Sequence, residues 1–269
     1  MKLKTVIATL AAGIFLGGTA IAQTKVVIKG SDTLGAKMVP QLTAVYKAMG
    51  NAVDFEIAAE GSSTAFTSLL EGTADVGMSS RGAKEGEKDS FTAKGKELVE
   101  HVAGIDMIAV VVNEGNSVKS LTKKQIEGIF TGEITDWSEL GGKQGPISVY
   151  TRNTSSGTYK SFQELAMNKR DYGSSTQKMA GNEAIASEVG KNPNGIGYVG
   201  LAYAKNDGLV SVTVDGKGLD DAAEYPLSRN LFYYTVGEPD GVVAHFLTWA
   251  KTDPTAHKVI EKVGFKAAK

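Results

Sequence analysis

The chain has 269 residues, 42% hydrophobic and 22% charged, the composition of a soluble globular protein of about two domains rather than of a disordered or multi-span membrane chain. Its 29 basic and 30 acidic side chains leave a formal charge of -1, so no excess positive charge is available to hold nucleic acid by counterion release. The absence of cysteine removes disulfides, thiolate metal sites, cysteine nucleophiles and a lipid-bearing cysteine together.

Residues 1–22 read as a secretory signal peptide. Lys2 and Lys4 form a basic head, Val6 to Leu16 an apolar run too short to span a bilayer comfortably, and Ala20-Ile21-Ala22 the small residues a signal peptidase reads. The mature chain is expected to start near Gln23, and loss of Lys2 and Lys4 leaves 27 basic against 30 acidic residues, a charge of -3. A periplasmic protein without a lipid anchor is the expectation.

Beyond the leader, β-branched runs alternate with amphipathic stretches, the pattern of an α/β protein. The runs predict strands over Val26–Ile28, Val53–Ile57, Ala74–Met78, Ile105–Val112, Ile147–Tyr150, Gly195–Val199, Leu209–Val214 and Leu231–Thr235. Helical spacing links Phe66, Leu69 and Leu70, then Tyr159, Phe162, Leu165 and Ala166, then Val242, Val243, Phe246 and Ala250. Thr122 and Gln125 form a capping box for a helix toward Phe130, while Pro40 predicts a break or restart inside the apolar pattern from Leu34 to Met49. No repeat or low-complexity linker marks a boundary. The Ile105–Val112 strand and the Tyr225–Thr235 segment are the expected crossings between two lobes, and two crossings make a hinge.

Three stretches place small hydroxyl residues and glycine where strands give way to helices: Gly30-Ser31-Asp32-Thr33-Leu34, Gly61-Ser62-Ser63-Thr64, and Arg152 through Ser156, Gly157 and Thr158. At a helix start the first N–H groups have no intrahelical partner and the macrodipole is positive, so an anion is stabilised twice over. Ser and Thr are also ordinary N-caps that bind nothing further. The third stretch adds Arg152 four residues before Ser156, and a planar guanidinium beside a cluster of N–H groups suits a phosphate-like oxyanion. Arg81, in Met78-Ser79-Ser80-Arg81, reads either as a ligand contact or as an exposed salt bridge.

Enzyme signatures are thin. His101, His245 and His257 have no metal-ligand spacing, no Walker loop or nucleophile elbow is present, and the Ser-x-x-Lys patterns at Ser120–Lys123 and Ser175–Lys178 lack their companion motifs. No catalysis, metal or cofactor is expected.

The sequence resembles the periplasmic phosphate-binding proteins of ABC-type phosphate importers over nearly all of the mature chain. The resemblance is carried by the three loops, by Met78-Ser79-Ser80-Arg81, by Ile129 through Trp137, by Gly195-Ile196-Gly197-Tyr198-Val199-Gly200 and by Tyr225-Pro226-Leu227-Ser228-Arg229. It implies a two-lobed α/β fold with a cleft and a two-strand hinge, with lobes at 23–106 plus 228–269 and at 107–227. It also implies a monomer that closes on one phosphate and delivers it to ABC permease subunits. Carried over by position, Thr33, Leu34, Ser62, Ser63, Ser156, Gly157 and Thr158 supply donors and Arg152 the charged clamp, with Ser80 and Arg81 beside them. Some members place an aspartate where this chain has Ser80 and another where it has Thr154, which leaves the acceptor of the ligand's proton unassigned. Such an acceptor excludes sulfate, which has no proton to give it. Asp32 is the only acidic residue within the three loops, so it is assigned here either to that role or to capping its own helix. Binding of sulfate, molybdate or vanadate, an exported phosphatase, and a sensor or adhesion role stay open at this point.

Overall fold

The computed structural model describes residues 24–268; the leader at 1–22 lies outside them. The strands are β1 (Thr24–Gly30), β2 (Val53–Ala59), β3 (Val76–Ser79), β4 (Leu98–Asn113), β5 (Ser120–Leu121), β6 (Ser148–Arg152), β7 (Gln177–Met179), β8 (Gly195–Gly200), β9 (Leu209–Ser211), β10 (Thr213–Val214) and β11 (Ser228–Val236). The helices are α1 (Asp32–Gly35), α2 (Met38–Ala48), α3 (Ser62–Glu71), α4 (Glu85–Ala93), α5 (Lys123–Thr131), α6 (Gly157–Ala166), α7 (Asn182–Lys191), α8 (Gly241–Thr252) and α9 (Pro254–Val263). The helix after β1 does break: α2 restarts at Met38 and puts Pro40 in its first turn, where the missing N–H costs no helical bond. The strand expected over Leu209–Val214 divides into β9 and β10, which join different sheets.

Nine strands form one mixed sheet in the order β2-β1-β3-β11-β4-β8-β6-β7, with β9 also on β4. The strand β4 is the key to it. From Leu98 to Met107 it pairs antiparallel with β11, and from Ile108 to Val112 it pairs with β8. One strand thus serves two halves of the sheet, and β11 enters the first half at Ser228. In the second half Ile108, Val110 and Val112 face one apolar cluster with Ile126, Phe130 and Phe162, while Ala109 and Val111 face another with Ile185 and Val189. A strand buried on both faces needs an unbroken apolar run, which is why Met107–Val112 lacks the usual alternation. The first half has its own core of Ile28, Met38, Leu42, Tyr46, Phe246, Trp249 and Ile260.

Strands β1, β2 and β3 run antiparallel to β6 and β8, so the carboxyl ends of the two halves point at each other across the middle of β4, and α1 after β1, α3 after β2 and α6 after β6 begin face to face there. The turn from β1 into α1 depends on Gly30, whose φ is +134° and whose added Cβ would lie 2.2 Å from the Met78 carbonyl oxygen. No L-side chain fits both conditions.

Candidate functional site

All three hydroxyl and glycine stretches open helices: Ser31 precedes α1, Gly61 precedes α3 and Ser156 precedes α6. The first-turn amides of Thr33, Leu34, Ser62, Gly157 and Thr158 have no acceptor within their helices. The fold brings these starts together. The Oγ1 atoms of Thr33 and Thr158 are 2.9 Å apart, and the Oγ atoms of Ser62 and Ser80 3.2 Å apart. The Ser63 N–H donates to the Ser155 carbonyl at 3.1 Å, a direct contact between the two halves. Thr33, Leu34, Ser62, Ser80, Ser156, Gly157 and Thr158 are all buried, so this cluster is an enclosed cage rather than an open cleft.

Arg152, the last residue of β6, is 1% exposed. Its Nη2 donates to the Ala180 carbonyl at 3.1 Å, and its Nη1 lies 3.4 Å from Asp32 Oδ2. Among the described residues, its Nε and Nη1 have no hydrogen-bond partner. Burial lowers the guanidinium's pKa and the Asp32 carboxylate pulls it back up. A buried cation with donors left over is costly unless something anionic completes its shell. The strand beneath it is braced by Tyr198, whose hydroxyl accepts from the Arg152 N–H at 3.1 Å and bonds Thr151 Oγ1 at 2.6 Å.

Hydroxyl directions follow from the donors aimed at them. Ser62 Oγ accepts from the Ser80 N–H at 3.0 Å, Thr158 Oγ1 from Arg229 Nη2 at 2.8 Å, and Ser156 Oγ from the Tyr159 N–H at 3.3 Å. Each is thereby oriented to donate onward. Cage and hinge meet at Arg229, at the start of β11: its Nη1 donates to the Ser80 carbonyl at 3.0 Å and its Nη2 to Asp106 Oδ2 at 2.8 Å. Asp106, on β4, is fully buried and also accepts from the Leu201 N–H at 3.0 Å. The resemblance included Arg229 in a motif without a role, and the sequence reading passed over Asp106. A lone carboxylate inside an apolar strand is the signal that identifies it, because an acid there must meet a counter-charge.

Three expectations need correction. Arg81 does not face the cage: Nη1 and Nη2 fork onto the two Glu87 oxygens at 2.7 and 2.6 Å, and the guanidinium lies over the Phe66 ring. Its charge is met within its own half, in a buried pair rather than an exposed one. Ser63 follows it, since Arg81 Nη2 donates to Ser63 Oγ at 3.3 Å. Adjacent helix residues point about 100° apart, so Ser62 and Ser63 cannot both face the same point. Asp32 makes no side-chain cap on α1. Its Oδ2 accepts from the Asn182 N–H at 3.0 Å and from Asn182 Nδ2 at 2.7 Å, so the carboxylate is engaged at the start of α7 rather than on its own helix. The histidines lie apart, His101 on Thr235, His245 on Tyr46 and His257 on the Lys251 carbonyl.

Comparison with known proteins identifies the family. A family model described as a PBP superfamily domain matches residues 17–253. The phosphate-binding protein PstS of Pseudomonas aeruginosa is 32% identical over 263 residues, covering 88% of this chain and 80% of that protein. PstS of Bacillus subtilis is 29% identical over 216 residues, covering 79% of this chain and 70% of its own. Among solved structures, a phosphate ABC transporter substrate-binding protein of Clostridium perfringens with bound phosphate superposes with a TM-score of 0.82 at 31% identity, covering 91% of this chain and 100% of that one. An ABC-type phosphate transport receptor of Vibrio cholerae gives 0.74 at 25% identity, covering 90% and 100%. The fold is the two-lobed α/β architecture of these proteins, and the chain belongs to the PBP superfamily and, within it, to the family of PstS phosphate-binding proteins.

Proposed function

We propose that this protein binds inorganic phosphate between its lobes and hands it to an ABC-type permease, without chemical change to the ligand. The observation that carries the reading is Arg152, buried to 1% exposure with Nε and Nη1 lacking a hydrogen-bond partner among the described residues, among helix starts whose amides and oriented hydroxyls all donate. A tetrahedral oxyanion supplies the acceptors that this set lacks. The relatives named for phosphate binding and the phosphate-bound neighbour support the same ligand. The holding set is Thr33, Leu34, Ser62, Ser80, Arg152, Ser156, Gly157 and Thr158. Among the described residues, Ser80 Oγ receives no N–H donor and meets the Ser62 hydroxyl at 3.2 Å, which leaves it a lone pair to accept the proton of hydrogen phosphate.

The lobes are assigned to 23–106 plus 228–269 and to 107–227. The supporting observation is the change of partner on β4 between Met107 and Ile108. Export through the leader at 1–22 to the periplasm and a monomeric state complete the reading. No described helix is long and apolar enough to cross a membrane.

Calorimetric titration of ligand-stripped protein with phosphate and then sulfate tests the function. Tight one-to-one phosphate binding with weaker sulfate binding is expected; absence of phosphate binding, or sulfate bound as tightly, overturns it. A generic phosphoester is expected not to turn over.

Closure itself can be tested at Gly157. A Cβ there would lie 2.2 Å from Ser62 Oγ and 2.7 Å from Ser80 Oγ, both on the opposite lobe. Alanine suits a helix start, so Gly157→Ala is expected to fold normally yet hold the lobes apart. Phosphate affinity should fall roughly 10- to 100-fold, the cost of overpacking, and X-ray scattering should show a smaller contraction on adding phosphate.

A further inference from the structure

We propose that Asp32 is the latch of the closed state: it holds the lobes together by seating its carboxylate on the start of α7 in the opposite lobe. Three helix starts, α1, α3 and α6, turn their free amides toward the cage. The fourth, α7, is filled by the chain's own carboxylate, which accepts the Asn182 N–H at 3.0 Å and Asn182 Nδ2 at 2.7 Å. Asn182 is itself fully buried and held in place by accepting the Gly200 N–H on its Oδ1 at 3.0 Å. The other Asp32 oxygen also faces this turn, since a Cβ on Gly181 would lie 2.9 Å from Oδ1.

The contact spans the lobes. Asp32 begins α1, which packs on α2 and β2, whereas Asn182 begins α7, which packs on β8 and β6. Any separation of the two halves breaks both hydrogen bonds, and re-solvates the carboxylate and the helix start together. The same Oδ2 lies 3.4 Å from Arg152 Nη1, so the latch also fixes where the clamp points. Lys37, five residues on, reinforces that edge by donating to the Ala202 carbonyl at 3.1 Å and lying over the Tyr203 ring at 3.8 Å. A latch acts on every ligand that closes the lobes. A proton acceptor, by contrast, acts only on a ligand carrying a proton. This separates the latch from the selectivity role that the sequence alone suggests for Asp32.

The proposal rests on the phosphate-binding reading, and its test distinguishes the two. Affinity for phosphate and for sulfate, which carries no proton, and the release rate of radiolabelled phosphate are measured on the parent protein, Asp32→Ala, Asp32→Asn and Asn182→Ala, with ligand-free melting temperature as the check on folding. Asp32→Ala is expected to weaken both anions by the same factor, roughly 10- to 100-fold for charge-assisted bonds. The loss should lie in faster release with capture unchanged. Asp32→Asn, which keeps an oxygen for the Asn182 donors, should fall between, and the double variant Asp32→Ala with Asn182→Ala should lose little more than either alone. The latch is overturned if Asp32→Ala and Asn182→Ala hold both anions as tightly as the parent, if the loss is confined to one anion, or if capture rather than release changes. A parent that binds phosphate with unaltered variants removes the latch alone; a parent that binds no phosphate removes the functional reading with it.

Discussion

Replacing Arg152 with alanine is expected to reduce phosphate affinity about a thousandfold, the consequence of withdrawing about 4 kcal/mol from a buried charged contact. The size follows from burial. At 1% exposure, the guanidinium has already shed its hydration in the folded protein, so Nε and Nη1, which lack a hydrogen-bond partner among the described residues, meet the anion without further desolvation of their own. Water does not compete for them. Arg152→Lys keeps the charge but loses the planar fork, and should recover only part of the affinity. The stability of the ligand-free protein should move little, because the desolvation cost of the buried guanidinium offsets what the Ala180 bond and the Asp32 ion pair contribute. The rise in melting temperature that phosphate confers on the parent should vanish in Arg152→Ala. Calorimetry and thermal melts with and without phosphate check both halves of the prediction. A variant that retains full affinity would place the anion elsewhere.

Local sequence carried much of this site and stopped at identifiable places. The three helix starts were legible because hydroxyl residues and glycine after an apolar strand mark an N-terminus from a few neighbouring residues. Arg152 was legible through its spacing from Ser156. What local pattern could not supply was competition between partners. Whether Arg81 serves a ligand or the protein depends on Glu87 turning back from α4 to meet it, and sequence does not show which way a helix two turns downstream faces. Asp32 and Asn182 are separated by 150 positions, so their meeting exists only once both lobes have formed and closed. The sheet shows the same limit. The apolar run from Ile105 to Val112 was readable as a buried strand, but its extension back to Leu98 was not. The exposed Glu100 and half-buried His101 there interrupt the apolar signal, and β11 supplies the pairing through Val236.

The hinge pair carries the second large effect. Asp106 is fully buried, and burial pushes its carboxyl above the ordinary aspartate range, with Arg229 and the Leu201 N–H pulling it back. Arg229 at the same time ties Asp106 to the Ser80 carbonyl of one lobe and Thr158 Oγ1 of the other. Arg229→Met should therefore destabilise the ligand-free protein by about 3–5 kcal/mol at neutral pH, the cost of leaving a buried charge alone. The pH dependence has a definite sign. Without its counter-charge, the carboxyl's folded pKa rises further above its unfolded value, so its contribution to stability is present below the unfolded pKa and is lost as pH rises through the folded one. The deficit of Arg229→Met relative to the parent should be largest at neutral pH and shrink in mild acid, where Asp106 takes up a proton. Adding Asp106→Asn removes the stranded charge while keeping an acceptor for the Leu201 N–H, and should restore most of the stability at pH 7. Denaturant unfolding of the parent and the single and double variants at neutral and acid pH measures all three terms; a deficit independent of pH, or undiminished by the second substitution, would show that packing and not charge is what Arg229 contributes at the hinge.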